Sequence, residues 1–161
     1  MEDDPSYDIT IARVSGHAPV SDAHLIGVVV AALRRQSVPS ARVGIALVDD
    51  ATIAHLNKRH LNRPDPTDVL AFDLRDEGST IESPGPSVDG EIVISVDAAA
   101  REAKRRCHGV ADEIALYAVH GTLHLLGYDD NRHEDAVRMH QVEDEILISL
   151  GVGRVYAEEG P

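Results

Sequence analysis

Two histidines stand four residues apart in the run His120-Gly121-Thr122-Leu123-His124-Leu125-Leu126-Gly127-Tyr128-Asp129-Asp130. On a helix that spacing projects both rings from one face, where they can reach a single metal ion. Gly127 offers the left-handed position that ends a helix, so the chain can turn back and bring a third ligand from the loop that follows. Asp130 is best placed for that role; His133, where the last helix begins, is the alternative third ligand. Three protein ligands around one zinc ion leave a coordination position for water, which is the arrangement of a catalytic site.

The same spacing, H-x3-H-x5-D, occurs in metzincin proteases with an aspartate ligand. There a glutamate directly follows the first histidine and serves as general base. Here that position is Gly121, which has no side chain to take a proton. The metal cage is kept and the protease base is missing, so peptide hydrolysis of that kind is not expected. An isolated histidine pair on an apolar helix is often only structural; the helix-ending glycine and the carboxylates beyond it are what favour a metal.

Periodicity predicts the elements that must position this run. Tyr7 to Val14 alternates as a strand, and Ser21 caps a helix through about Arg35 with Leu25, Val28, Val29 and Ala32 on its buried face. Arg42 to Val48 is a second strand, and Asp49 or Asp50 caps a helix through about Arg59. Thr67 to Phe72 is a third strand, residues 75–89 form one long loop, and Glu91 to Val96 is a fourth strand. Asp97 caps a helix to about Arg106, Ala111 to Leu126 is the metal helix, and Glu134 to Leu150 is the last. The order is β-α-β-α-β-β-α-α-α. It predicts a single α+β domain with a four-stranded mixed sheet and helices mainly on one face.

A chain of 161 residues with 43% hydrophobic content reads as one soluble globular domain spanning 1–161, with flexible ends. Cys107 is alone, so no intramolecular disulfide forms and a reducing, cytoplasmic setting is expected. The acidic start Met1-Glu2-Asp3-Asp4 precedes no apolar run of the signal-peptide kind, and the longest apolar stretch, near Ile26 to Leu33, is too short for a bilayer. No membrane partner is expected. The formal charge of −13 argues against broad affinity for nucleic acid. Yet seven of the 15 lysines and arginines fall in two short segments, Lys58-Arg59-Arg63 and Arg101-Lys104-Arg105-Arg106. These are either solvated helix faces or an RNA-contacting surface.

Taken together, the segments resemble the YbeY family of metal-dependent rRNA maturation endoribonucleases. Residues 120–129 match every specified position of the family signature H-G-x-L-H-L-x-G-Y-D-H. Leu56-Asn57 followed by Pro66-Thr67-Asp68-Val69-Leu70-Ala71-Phe72 resembles its L-N…P-T-D-V-L-S-F segment, and Gly90-Glu91-Ile92-Val93-Ile94-Ser95 its G-D-I-x-I-S strand. The resemblance covers about residues 43–151. It implies a single α+β domain, one zinc ion, and cleavage of single-stranded rRNA in small-subunit 3′-end maturation and ribosome quality control, with the ribosomal small subunit and ribosome-associated proteins as partners.

Two departures matter. The family's third histidine is Asp130 here, a carboxylate that zinc accepts but that leaves the cage less positive and its water less acidic. The family's functional arginine falls on Leu61, flanked by Arg59 and Arg63. Two residues on a helix turn through about 200°, so neither arginine is an automatic substitute. Arg59 or Arg63 for phosphate contact and Asp68 for proton transfer are the candidate catalytic residues. Asp129 serves either beside Asp68 or in orienting a histidine or capping the last helix.

Overall fold

The computed structural model describes residues 6–61, 68–75, 87–128 and 132–152, the side chains at 60 and 61 excepted. The chain runs β1 (Tyr7–Arg13), α1 (Asp22–Arg35), β2 (Ala41–Val48), α2 (Asp50–Leu61), β3 (Val69–Asp73), β4 (Val88–Ser95), α3 (Val96–Arg106), α4 (Val110–Leu125) and α5 (His133–Ser149). The strands form one sheet in the order β1-β2-β4-β3. β2 pairs parallel with β1 on one side and β4 on the other, and β3 joins β4 antiparallel. The predicted order and mixed sheet are both present.

Strand alternation divides the core in two. Val43, Ile45 and Leu47 of β2, with Ile92 and Ile94 of β4, face the larger core that α1, α4 and α5 close. Ala46, Val48, Val93 and Leu70 face the other way, under Ile53 of α2. The helices therefore lie mainly on one face. Among the described residues no helix is long and apolar enough to cross a membrane.

Local signals fix most boundaries. The Ser21 hydroxyl accepts the His24 N–H at 3.1 Å, and Asp49 accepts the Thr52 N–H at 2.9 Å, so Ser21 and Asp49 cap α1 and α2. These hydrogen bonds from Thr52 also hold the Asp49 carboxyl below the ordinary aspartate range. Asp97 does not cap α3. β4 passes into α3 without a loop, so the last strand residue, Ser95, takes the cap by accepting the Ala98 N–H at 3.1 Å. Asp97 instead reaches across to accept the Asp50 N–H at 2.9 Å. β4 also begins three residues earlier than its composition suggests. Val88 and Asp89 fall in the stretch read as loop, but Val88 and Gly90 are buried in register with Ala41 and Val43 of β2, and Asp89 pairs with Arg42 at 2.6 Å.

α4 and β4 interlock through two glycines. A Cβ on Gly121 would stand 2.6 Å from Ile92 Cγ2, and a Cβ on Gly90 would stand 2.5 Å from Leu125 Cδ2. One helical turn (121 to 125) thus matches two strand residues (92 to 90), distances of about 6 and 7 Å. Each glycine makes room for the side chain opposite. The histidines at 120 and 124 each precede one of these contacts, so the interlock sets where both stand.

Candidate metal centre

α4 is buried on nearly every side, with Ile114, Leu116, Tyr117, Val119, Leu123 and Leu125 all in the core. Asp112 and Glu113 in its first turn and His124 in its last both suit the helix dipole. Its end follows the expected glycine chemistry. Gly127 has φ +97°, the Tyr128 N–H donates to the Leu123 carbonyl at 3.0 Å, and the Gly127 N–H donates to the His124 carbonyl at 3.0 Å. This pair of bonds is the Schellman arrangement. It brings the Tyr128 carbonyl back over the helix, where it lies 3.0 Å from His124 Nδ1. The Tyr128 hydroxyl anchors the turn to Gln36, just past the end of α1, at 3.1 Å.

A Cβ on Gly127 meets nothing within 4 Å, so Gly127→Ala has a purely conformational cost. We expect a loss of about 1 kcal/mol in thermal unfolding, with weaker metal retention because the Tyr128 carbonyl moves. An unchanged melting temperature would show that the turn does not depend on glycine.

The two histidines meet as the spacing predicts. His120 Nε2 and His124 Nε2 are 3.0 Å apart, with the rings edge to face at a centroid distance of 4.5 Å. Each Nδ1 is held on the far side. A carbonyl can only accept, so His124 Nδ1 carries its proton toward Tyr128. His120 Nδ1 lies 3.4 Å and 3.3 Å from the two carboxylate oxygens of Glu143, so it too carries a proton. Both Nε2 atoms then present lone pairs to each other, and at 3.0 Å these need a positive partner in common, a proton or a metal ion. Two nitrogens on one tetrahedral zinc stand about 3.3 Å apart, given Zn–N of about 2.0–2.1 Å. The donor set, its spacing and its hydrogen-bonded tautomers fit a zinc-type cation.

Glu143 was not visible from the sequence as a site residue. It lies on α5 and is fully buried, in the stripe of Met139, Ile146 and Leu147. The available signal was an acid at a helical position where spacing calls for an apolar residue.

The other sequence-predicted residues fall differently. Asp130, with Asp129, and Arg63 lie outside the described residues. His133 is the first residue of α5 and is exposed. Among the described residues no third His, Cys, Asp or Glu completes a metal-holding group with the pair. Arg59 is exposed on α2, the helix on the sheet face opposite α4. Asp68 sits at the start of β3, its carbonyl accepting the Ser95 N–H at 2.9 Å. Desolvation of its carboxyl, with repulsion from Glu102 and Asp50, raises its pKa above the usual range against the pull of Arg101 and the Tyr117 hydroxyl. Tyr117 lies one turn before His120 on α4, so Asp68 stands beside that helix. Burial, then Asp68 and Glu113, push the Tyr117 phenol well above its ordinary value, and it stays neutral.

The basic segment of α3 is largely committed. Arg101 pairs with Asp50 at 2.6 Å, Arg105 with Glu102 at 2.7 Å, and Arg106 lies 3.9 Å from buried Glu113. Beyond the α4 terminus a cleft is lined by Leu126, Gly127, Tyr128, Asp135 and Arg138.

With this geometry in view, the similarities to known proteins are specific. The family model described as Endoribonuclease YbeY matches residues 19–151. A curated Endoribonuclease YbeY of Rhodococcus opacus is 40% identical over 144 residues, covering 86% of this chain and 79% of the relative. Those of Corynebacterium kroppenstedtii and Nocardioides sp. are each 39% identical over 86% of this chain, covering 72% and 95% of the relatives. The solution structure of a Thermotoga maritima protein shares the fold, with a TM-score of 0.53 and 22% identity over 88% of this chain and 91% of that one. With the signature histidines paired on α4 and most of the chain matched, this protein belongs to the endoribonuclease YbeY family.

Proposed function

We propose that this protein is a zinc-dependent endoribonuclease that cuts single-stranded rRNA during small-subunit 3′-end maturation and ribosome quality control. The observation that carries the metal dependence is the His120–His124 pair, whose Nε2 lone pairs face each other at 3.0 Å while both Nδ1 atoms are held elsewhere. His120 and His124 would hold one zinc ion with Asp130, or alternatively His133, as third ligand. Bound there, the metal supplies Lewis acidity toward a phosphoryl oxygen and a water of lowered pKa.

The protein's own groups have separate tasks. Gly121 faces Ile92 in the sheet, so no base can come from that position of α4. Asp68, beside α4 and with its pKa raised, is the described carboxyl suited to carry a proton. Arg138, in the wall of the cleft beyond Gly127, offers a cation for phosphate, and Arg59 or Arg63 would add a further phosphate contact. Because α3 commits its arginines to Asp50, Glu102 and Glu113 and the whole chain carries −13, RNA delivery falls to the ribosomal small subunit and its associated proteins.

The test is cleavage of single-stranded RNA and of peptides by the purified chain, with chelator and after zinc is returned. RNA cleavage that chelation removes and zinc restores is expected, with peptides untouched. If chelation only lowers the melting temperature and RNA is never cut, zinc merely braces α4 and α5. Metal content then locates the third ligand: Asp130→Ala should lose zinc while His133→Ala keeps it, and the reverse moves that corner to His133.

A further inference from the structure

We propose that Glu143 is a positioning residue for the metal centre, fixing the tautomer of His120 and strengthening Nε2 as a donor. The inference rests on the metal reading above and assigns a role on α5, away from the signature run. Glu143 is fully buried, and its two oxygens straddle His120 Nδ1 at 3.3 and 3.4 Å. A carboxylate there is costly. Met139, Ile146 and Leu147 complete the buried stripe around it, and a leucine would fill the same place without losing hydration.

The other fully buried carboxylate among the described residues shows what a structural acid looks like in this fold. Glu113 lies 2.6 Å from His108 Nε2 and within 3.9 Å of Arg106, tying the α3–α4 turn together. Glu143 is aimed instead at the ring whose far nitrogen meets His124. By accepting from Nδ1–H, it leaves Nε2 as the lone-pair atom and adds electron density to the ring, as carboxylates behind metal-bound imidazoles do. His124 receives its support from the neutral Tyr128 carbonyl. The two corners therefore differ: His120 is the stronger donor, and its strength depends on a charge that substitution can remove.

The experiment compares wild type with Glu143→Gln, which keeps an acceptor but loses the charge, and Glu143→Leu, which loses both. Metal-free protein is titrated with Co2+, read by its visible absorption, and with Zn2+ against a chromophoric chelator. Affinity is expected to fall about 10–100-fold in Glu143→Gln and at least as far in Glu143→Leu. The metal-free melting temperature of Glu143→Leu should equal or exceed that of wild type. The 15N resonances of His120 in metal-free protein should report the Nδ1–H tautomer in wild type and a mixture in Glu143→Leu. Wild-type affinity in both variants, or in Glu143→Gln alone if Glu143→Leu does not fold, overturns the inference while leaving the metal reading intact. Wild type that binds neither ion overturns both.

Discussion

Alanine at His120 or His124 is expected to lower RNA cleavage by roughly three orders of magnitude or more, and to leave the purified protein without zinc. Either change removes one of the two nitrogens that meet at 3.0 Å, and the remaining ring cannot hold the ion with the third ligand alone. Stability should separate the two variants. His120→Ala strands the Glu143 carboxylate in the core, at a cost of about 1–3 kcal/mol for a buried group deprived of its partner. His124→Ala only uncovers the Tyr128 carbonyl beside a turn that solvent reaches. Melted in chelator, His120→Ala should therefore unfold at lower temperature than His124→Ala. Zinc at about 1,000 times its Kd should stabilise wild type by about 4 kcal/mol and neither variant. Zinc stabilisation that persists in both would move the metal away from these histidines.

The second large effect lies at Gly121. Its α-carbon approaches β4 so closely that an added Cβ would sit 2.6, 3.1 and 3.2 Å from three carbons of Ile92. Ile92 is fully buried and cannot swing aside. Gly121→Ala should cost about 1–3 kcal/mol as α4 is pushed off the sheet, and zinc affinity should fall with it, because His120 and His124 ride on the same helix. Ile92→Ala alone opens a cavity worth about 2–5 kcal/mol. Combined, the two substitutions should destabilise by clearly less than their sum, since the new methyl occupies the space vacated by Ile92. Additive losses in denaturant unfolding would mean that the two residues do not press on each other.

Much of this site was legible in the sequence because its determinants are local. The i,i+4 histidines, the φ +97° of Gly127 and the Ser21 cap each depend on a few consecutive residues, and each is found where spacing and residue chemistry put it. What escaped was tertiary. Glu143 reaches His120 from 23 residues away, and its place in the stripe of Met139, Ile146 and Leu147 marks it as buried without naming its partner. Val88 and Asp89 read as the end of a loop, yet they lie in β4, where Gly90 leaves the space that Leu125 fills. Gly121 was informative as a missing base, but its position follows from Ile92 on a strand formed earlier in the chain. Ser95 displaced Asp97 as a cap only because strand and helix join without a loop.

The turn that closes α4 also bears on the order in which the centre is assembled. The carbonyl that orients His124 belongs to a residue four positions away, while the carboxylate that orients His120 is 23 positions away on the final helix. Contacts of short sequence separation form first, since little chain entropy is lost in closing them. One half of the grip is thus complete when a single helix has formed and terminated. The other half is expected only after the carboxyl-terminal helix docks, which makes a firmly held metal a late marker that the whole chain has folded.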